Sequence, residues 1–240
     1  ILGCRCRFQV AGFVALHAIL APGAAHAADP AAVVRLLAEQ DAAVLRVGER
    51  LAVASAPFCG RAMRSSGMLL QRSDQYGADY RAAAFAVLGV TDQPTVTVVA
   101  PGGAAEKAGI RPMDIVVGID GRDFPAVAPR RARGEIAGIA AIHDAVDAVM
   151  ADGLAEVRVI RDGQPMTVVV YPRPGCRARF EVRAGRTNSA SSDGLYVQIS
   201  SDLVAQARGE GQLATVLAHE LAHNILEHPQ RRRASGSRPS

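Results

Sequence analysis

Apolar residues recur at helical spacing between positions 30 and 55: Val33, Val34, Leu37, Val44, Leu45 and Leu51. Asp29 followed by Pro30 supplies an N-cap and a first-turn proline, so the spacing predicts one helix ending near Pro57. Residues 58–85 mix Gly, Ser and Asp with apolar positions and predict short helices. From about residue 87 the period changes to two. "TVTVVAP" alternates β-branched residues as a strand does, and "DIVVGID" predicts a second strand running into a tight Asp120-Gly121 turn. Ile139, Ile142, Val146 and Val149 return to helical spacing and stop at Gly153. Two alternating strands then flank Arg161-Asp162-Gly163-Gln164, a hairpin signal. The last part predicts a strand in "RARFEVRAG", another over 195–199 and two helices. Pro229 ends the second helix at His228, because a residue before proline is pushed out of the α region. The tail 229–240 is polar and is expected to be disordered.

Composition narrows this picture. The chain has 240 residues, enough for one large or two small domains. It is 49% apolar but 4% aromatic, so its core is built from Ala, Val, Leu and Ile. The net charge of +4 does not point to nucleic acid, because Lys107 is the only lysine and the arginines are scattered. Arg5 and Arg7 precede an apolar run broken by Pro22 and Gly23, which leads into "AAHAADP". That pattern predicts a signal peptide over 1–28 with Ala27 or Ala28 as the last residue removed; an uncleaved anchor is the alternative. Either way the remainder is expected to be exported, to the periplasm or cell envelope of a bacterium and near a membrane. No other apolar stretch reaches membrane length, which excludes an intramembrane protease. Cys4 and Cys6 leave with the signal. Cys59 and Cys176 remain, and in an oxidising compartment they predict a disulfide, with two buried thiols as the alternative.

The segment "PGGAAEKAGIRPMDIVVGIDG" and the strand–helix–strand order around it resemble a PDZ domain over roughly 88–173. Met113 stands where that pattern has glycine. In the family a loop ahead of the first strand offers N–H groups to a C-terminal carboxylate, and the peptide adds as a strand. On that resemblance Leu88, Gly89 and Val90 are the expected carboxylate loop, a helix stop being the alternative, and a C-terminal peptide is the expected ligand.

The densest chemistry lies in "TVLAHELAHNILEHP". His219 and His223, four apart on a helix, present two imidazoles to one point, where each can ligate a metal at ~2.0–2.1 Å. Glu220 flanks that point without being a ligand, and its carboxylate can take a proton from water activated by the metal and pass it to a leaving amine. Leu213, Ala214, Val216, Leu217, Leu221 and Ile225 make the rest of the helix apolar, so a buried helix is expected and unpartnered histidines in it would be costly; the alternative is a surface helix whose histidines and glutamate face water. "LATVLAHELAHNILEH" resembles the zinc helix of the gluzincin metallopeptidases that include the CAAX prenyl endopeptidase and the heat-shock membrane protease. The resemblance assigns one Zn2+ to His219 and His223, catalysis to Glu220, and a trailing family histidine to His228. "TNSASSDGLYVQIS" resembles the family's cleft segment, which implies that Asn188, Ala190 and the strand bearing Leu195, Tyr196 and Val197 line the substrate cleft.

The expected protein is thus α+β: a signal peptide, a helical segment over 29–86, a PDZ-like barrel or sandwich over 87–175 and a partial zincin-like domain over 176–228. It would be an exported zinc endopeptidase acting on peptides or unfolded proteins, or a PDZ peptide-binding protein with a degenerate peptidase part. The family's third ligand is a glutamate on a later helix, and no acid follows Glu227. Glu181, Asp193 and Asp202 are upstream acids that nothing in the sequence selects, and His228 points well round a straight helix from His223. Ile1 in place of Met and the missing ligand favour loss of a C-terminal half, the alternative being a natural non-catalytic remnant.

Overall fold

A computed structural model of the chain describes residues 28–130, 134–185 and 187–235. Residues 1–27 of the expected signal peptide and the last five residues of the tail lie outside the described residues.

Helix α1 (Pro30–Ala54) begins as its sequence dictates: the Asp29 side chain accepts from the Ala31 N–H and Pro30 fills the first turn. The stretch expected to hold short helices does hold a single 3-10 turn (Ser73–Gln75) and α2 (Ala78–Leu88), but two unexpected strands, β1 (Ala62–Ser65) and β2 (Met68–Gln71), come first. A sequence of four-residue strands carries too few alternations to show a period of two. The chain continues through β3 (Thr95–Val99), α3 (Ala104–Lys107), β4 (Ile115–Ile119), β5 (Arg122–Asp123), α4 (Ala137–Met150), β6 (Ala155–Arg161) and β7 (Gln164–Val170). These strands form one antiparallel sheet in the order β2-β3-β4-β6-β7, with β5 on β4. Leu70, Val96, Val116, Ile119, Ile139, Met150, Val157 and Val159 close its core. Met113 adopts φ 74°, which explains the family's glycine there; Asp114 beside it is 1% exposed and ion-paired with Arg161 at 2.6 Å.

Strand β8 (Arg173–Cys176) pairs with β1, and the Cys59–Cys176 disulfide ties this ribbon to the end of α1 with Cα atoms 5.5 Å apart. Then come β9 (Arg179–Arg183), β10 (Ala190–Ser192), β11 (Tyr196–Ser200), α5 (Ser201–Gln206), α6 (Glu210–Ile225) and α7 (His228–Ala234). The second sheet has the order β10-β11-β9, antiparallel then parallel. Its core joins Val44, Val47 and Ala52 of α1 to Phe180, Val197, Ile199 and Leu213, Leu217, Leu221 of α6. Helix α1 therefore serves the C-terminal core rather than a separate N-terminal unit. Gly48 allows its close approach: a Cβ there would sit 2.3 Å from Cγ of Phe180. Among the described residues no helix is long and apolar enough to cross a membrane.

Candidate metal centre and peptide groove

Leu213, Leu217 and Leu221 repeat every four residues and form the stripe by which α6 sits on β10 and β11. Burying each contributes about 1.5–3 kcal/mol. The opposite face carries the chemistry. His219 is exposed, and Glu220 and His223 are half-buried, so the expectation of a wholly buried helix is corrected. One apolar stripe is enough to hold a surface helix, and the burial cost once charged to the histidines falls away.

The histidine pair does converge. His219 Nε2 and His223 Nε2 lie 3.2 Å apart. Two nitrogens at ~2.05 Å from a tetrahedral ion are about 3.3 Å apart, so the pair fits two ligand positions of zinc. Glu220 lies between them in sequence and is half-buried. Among the described residues no third His, Cys, Asp or Glu completes a metal-binding group. Two of the upstream acids are engaged elsewhere. Glu181 accepts from the Gln198 side chain, and burial raises its pKa. Asp193 caps the N–H groups of Leu195 and Tyr196 at 2.8 and 2.7 Å. Asp202 opens α5, and Glu227 is in the turn after α6, 4.0 Å from Arg61.

The end of α6 differs from expectation. It stops at Ile225, Glu227 turns with φ 54°, and Pro229 lies in the first turn of α7 instead of ending a longer helix. Proline is tolerated in a first turn because its missing N–H would have had no partner there. Residues 228–234 are therefore helical rather than disordered. The same reversal brings His228 back, and its Nδ1 lies 2.7 Å from His223 Nδ1.

Beside α6, the substrate-facing assignments need correcting. Strand β11 is the middle strand of its sheet, and Val197 is 0% exposed. Both edges of β11 are paired, so Leu195, Tyr196 and Val197 have no free edge for a substrate strand. The edge strands are β9, which packs against α1, and β10, which starts at Ala190 and packs against α6. Asn188 leads into it, with Nδ2 donating to Gln206 Oε1 at 2.8 Å. Buried Asn224, next to His223, accepts from the Gly194 N–H at 2.8 Å and pins the β10–β11 turn to the helix.

The loop assignment at Leu88-Gly89-Val90 is also corrected. Leu88 ends α2, Gly89 is its left-handed cap, and the N–H groups of Gly89 and Val90 donate to Phe85 and Ala84 carbonyls. They are spent on the helix end and are not free for a carboxylate. Strand addition requires a sheet edge with a loop ahead of it, and β2 has both. Ser66 and Gly67 precede it, held by Ala105 and Ala100 N–H groups at 2.7 Å each. The signal that could have found them is Ser66-Gly67 immediately before "MLL".

The β2 edge faces α4, and the cavity between them, about 80 Å³, is closed over by α1 and β9. His143 of α4 donates from Nε2 to the Leu70 carbonyl at 3.1 Å, and burial pushes its pKa down to about 4. Arg179 of β9 donates to Asp147 at 2.9 Å, to Asp144 at 2.7 Å and to the Tyr196 hydroxyl at 2.9 Å, tying α4 to the second sheet. Burial raises the Asp147 pKa despite Arg179. Glu49 of α1, 3% exposed, reaches the same loop, accepting from the Ser65 hydroxyl and from Arg173 at 3.1 Å.

Comparison with known proteins agrees with both halves. Residues 187–237 match the model of Peptidase family M48, and residues 77–143 match that of the PDZ domain. Among solved structures, the HtrA3 PDZ domain bound to a phage-derived ligand (FGRWV) is 16% identical over 48% of this chain and 88% of its own, with a TM-score of 0.32. The HtrA-type protease AlgW with decapeptide is 17% identical over 47% of this chain, which spans 30% of the AlgW chain, again with a TM-score of 0.32. No curated protein matches the sequence. The segment that carries the converging histidines is thus similar to peptidase family M48, and the segment ahead of it to a PDZ domain.

Proposed function

We propose that this chain is an exported zinc-dependent metalloendopeptidase whose PDZ domain recognises peptides. The observation that carries the reading is the 3.2 Å approach of His219 and His223 Nε2, with Glu220 beside them, in an M48 segment. Zinc held by the two histidines would supply Lewis acidity, polarising a peptide carbonyl and making water easier to deprotonate. Glu220 then holds the proton taken from water and delivers it to the leaving amine. The β10 edge, led by Asn188 and Ala190, offers backbone groups to an extended substrate and sets the carbonyl beside α6. The β2 edge, with Ser66 and Gly67 ahead of it, would take a peptide C-terminus as an added strand once the His143–Leu70 contact and the α1 and β9 cover over the groove open. The substrates would be peptides or unfolded proteins, which alone can present an extended backbone to both edges.

The lack of a third ligand among the described residues favours a second reading, a PDZ peptide-binding protein whose peptidase part does not cut. One experiment separates them. Purified protein is assayed for stoichiometric zinc and for cleavage of unfolded casein, with and without a chelator and beside Glu220→Gln. Chelator-sensitive cleavage lost in Glu220→Gln, with zinc retained, is the expected result. Zinc without cleavage would favour the second reading, and protein with no zinc would sink the first. Export is tested by fractionating the native host and sequencing the mature N-terminus, expected at Ala28 or Asp29.

A further inference from the structure

A straight α6 would carry His228 five residues past His223, roughly 140° round the helix axis at 100° per residue. The observed chain does the opposite. Leu226 N–H closes onto the Ala222 carbonyl and Glu227 N–H onto that of Asn224, at 2.9 and 3.2 Å. Glu227 then adopts φ 54°, a left-handed conformation that a residue with a side chain rarely takes. Pro229, buried, sets the first turn of α7, and the His228 ring returns to His223 with their Nδ1 atoms 2.7 Å apart. Backbone strain of this kind persists where the surroundings impose it.

A neutral imidazole has one N–H, so one of the two Nδ1 atoms donates and the other accepts. His223 Nε2 faces His219 Nε2 across 3.2 Å. A proton on His223 Nε2 would point at the place the two rings share and remove its lone pair from it. A proton on Nδ1 is taken up by His228 and leaves Nε2 free. We propose that His228 is a positioning residue: by accepting from His223 Nδ1–H it fixes the tautomer and rotation of that ring, and so prepares Nε2 to bind a divalent cation. His228 does not act as a third ligand, because it meets His223 at the nitrogen on the other side of the ring from the shared point. The direction of the Nδ1–Nδ1 bond and the identity of the cation both rest on the metallopeptidase reading, while the tautomer itself can be read without metal.

The test uses the full chain, metal-free at pH 8, with 15N-labelled histidine. Long-range 1H–15N spectra read the tautomer of each ring, His223 being assigned from the spectrum of His223→Phe. The expected wild-type state is Nδ1–H at His223. In His228→Phe that ring should shift towards Nε2–H, and Zn2+ affinity, measured by competition with a chromophoric chelator, should fall about 10–100-fold. His228→Asn keeps a side-chain acceptor and should restore much of both; far-UV circular dichroism checks that each variant is folded. An Nε2–H tautomer in the wild type overturns the proposal. So does an unchanged tautomer in folded His228→Phe, whatever the zinc result. A wild type that binds no Zn2+ but shows a His228-dependent Nδ1–H tautomer would sink the metallopeptidase reading while supporting this one.

Discussion

Replacing Asp41 with asparagine should remove a pH-dependent cost from the fold. Asp41 projects from α1 towards β2 and β9, where its carboxylate accepts from the Val182 N–H at 3.3 Å and from Gln71 Nε2 at 3.2 Å. Burial outweighs both bonds, nearby Glu181 adds to it, and the pKa rises from 3.8 to about 7. Between these values the folded state holds a proton that the unfolded chain releases. Stability from this group is therefore complete below about pH 4 and is lost as pH rises through about 7. Three units at 1.36 kcal/mol each set a ceiling of about 4 kcal/mol, and relaxation of the site leaves roughly 2–4 kcal/mol. The amide variant keeps an acceptor for Val182. Gln71 can turn its own amide over, because the Tyr76 hydroxyl that donates to its Oε1 at 2.5 Å can accept instead. Urea unfolding of Asp41→Asn and wild type, disulfide intact, at pH 5, 6, 7 and 8 is the assay. The variant should gain on the wild type by up to about 1.4 kcal/mol per pH unit up to pH 7 and level off above it. Stability curves that run parallel from pH 5 to 8 would refute the reasoning.

His143 should show the opposite slope. Its folded pKa is depressed to about 4 from 6.5, so stability present above pH 6.5 is lost as pH falls towards 4, by about 3 kcal/mol, and His143→Gln should flatten acid unfolding over that window. Gly48→Ala should destabilise by about 1–3 kcal/mol, since the added methyl meets the Phe180 ring and must push α1 off β9; denaturant midpoints check it. Met113→Gly should raise stability by about 1 kcal/mol or more, because glycine relieves the left-handed strain at φ 74°; a thermal melt with no gain would count against that backbone.

The local periods were enough to predict much of the fold. The run of α1, the β6–β7 hairpin at Asp162-Gly163 and the stop of α4 near Gly153 all lie where spacing and turn residues put them, since these signals act within a few residues. The His219–Glu220–His223 triplet was equally legible, because i and i+4 share a helix face in any context. Non-local pairing was not legible. Whether Leu195, Tyr196 and Val197 have a free edge depends on β9 and β10 flanking β11, and nothing within that strand records its neighbours. Leu88-Gly89-Val90 reads equally well as a carboxylate loop or a helix stop, and only the destinations of its N–H groups decide that it is a stop.

The sequence by itself determined the α+β content, the His219–Glu220–His223 spacing on one helix and the two cysteines able to pair, because each depends on residue type and short spacing. Tertiary structure alone decided that α1 completes the C-terminal core, that Glu49, His143 and Arg179 close the β2–α4 groove, and that His228 returns to His223 instead of pointing away. Those outcomes depend on where distant segments meet, and on one left-handed residue, Glu227, that only the surrounding packing selects.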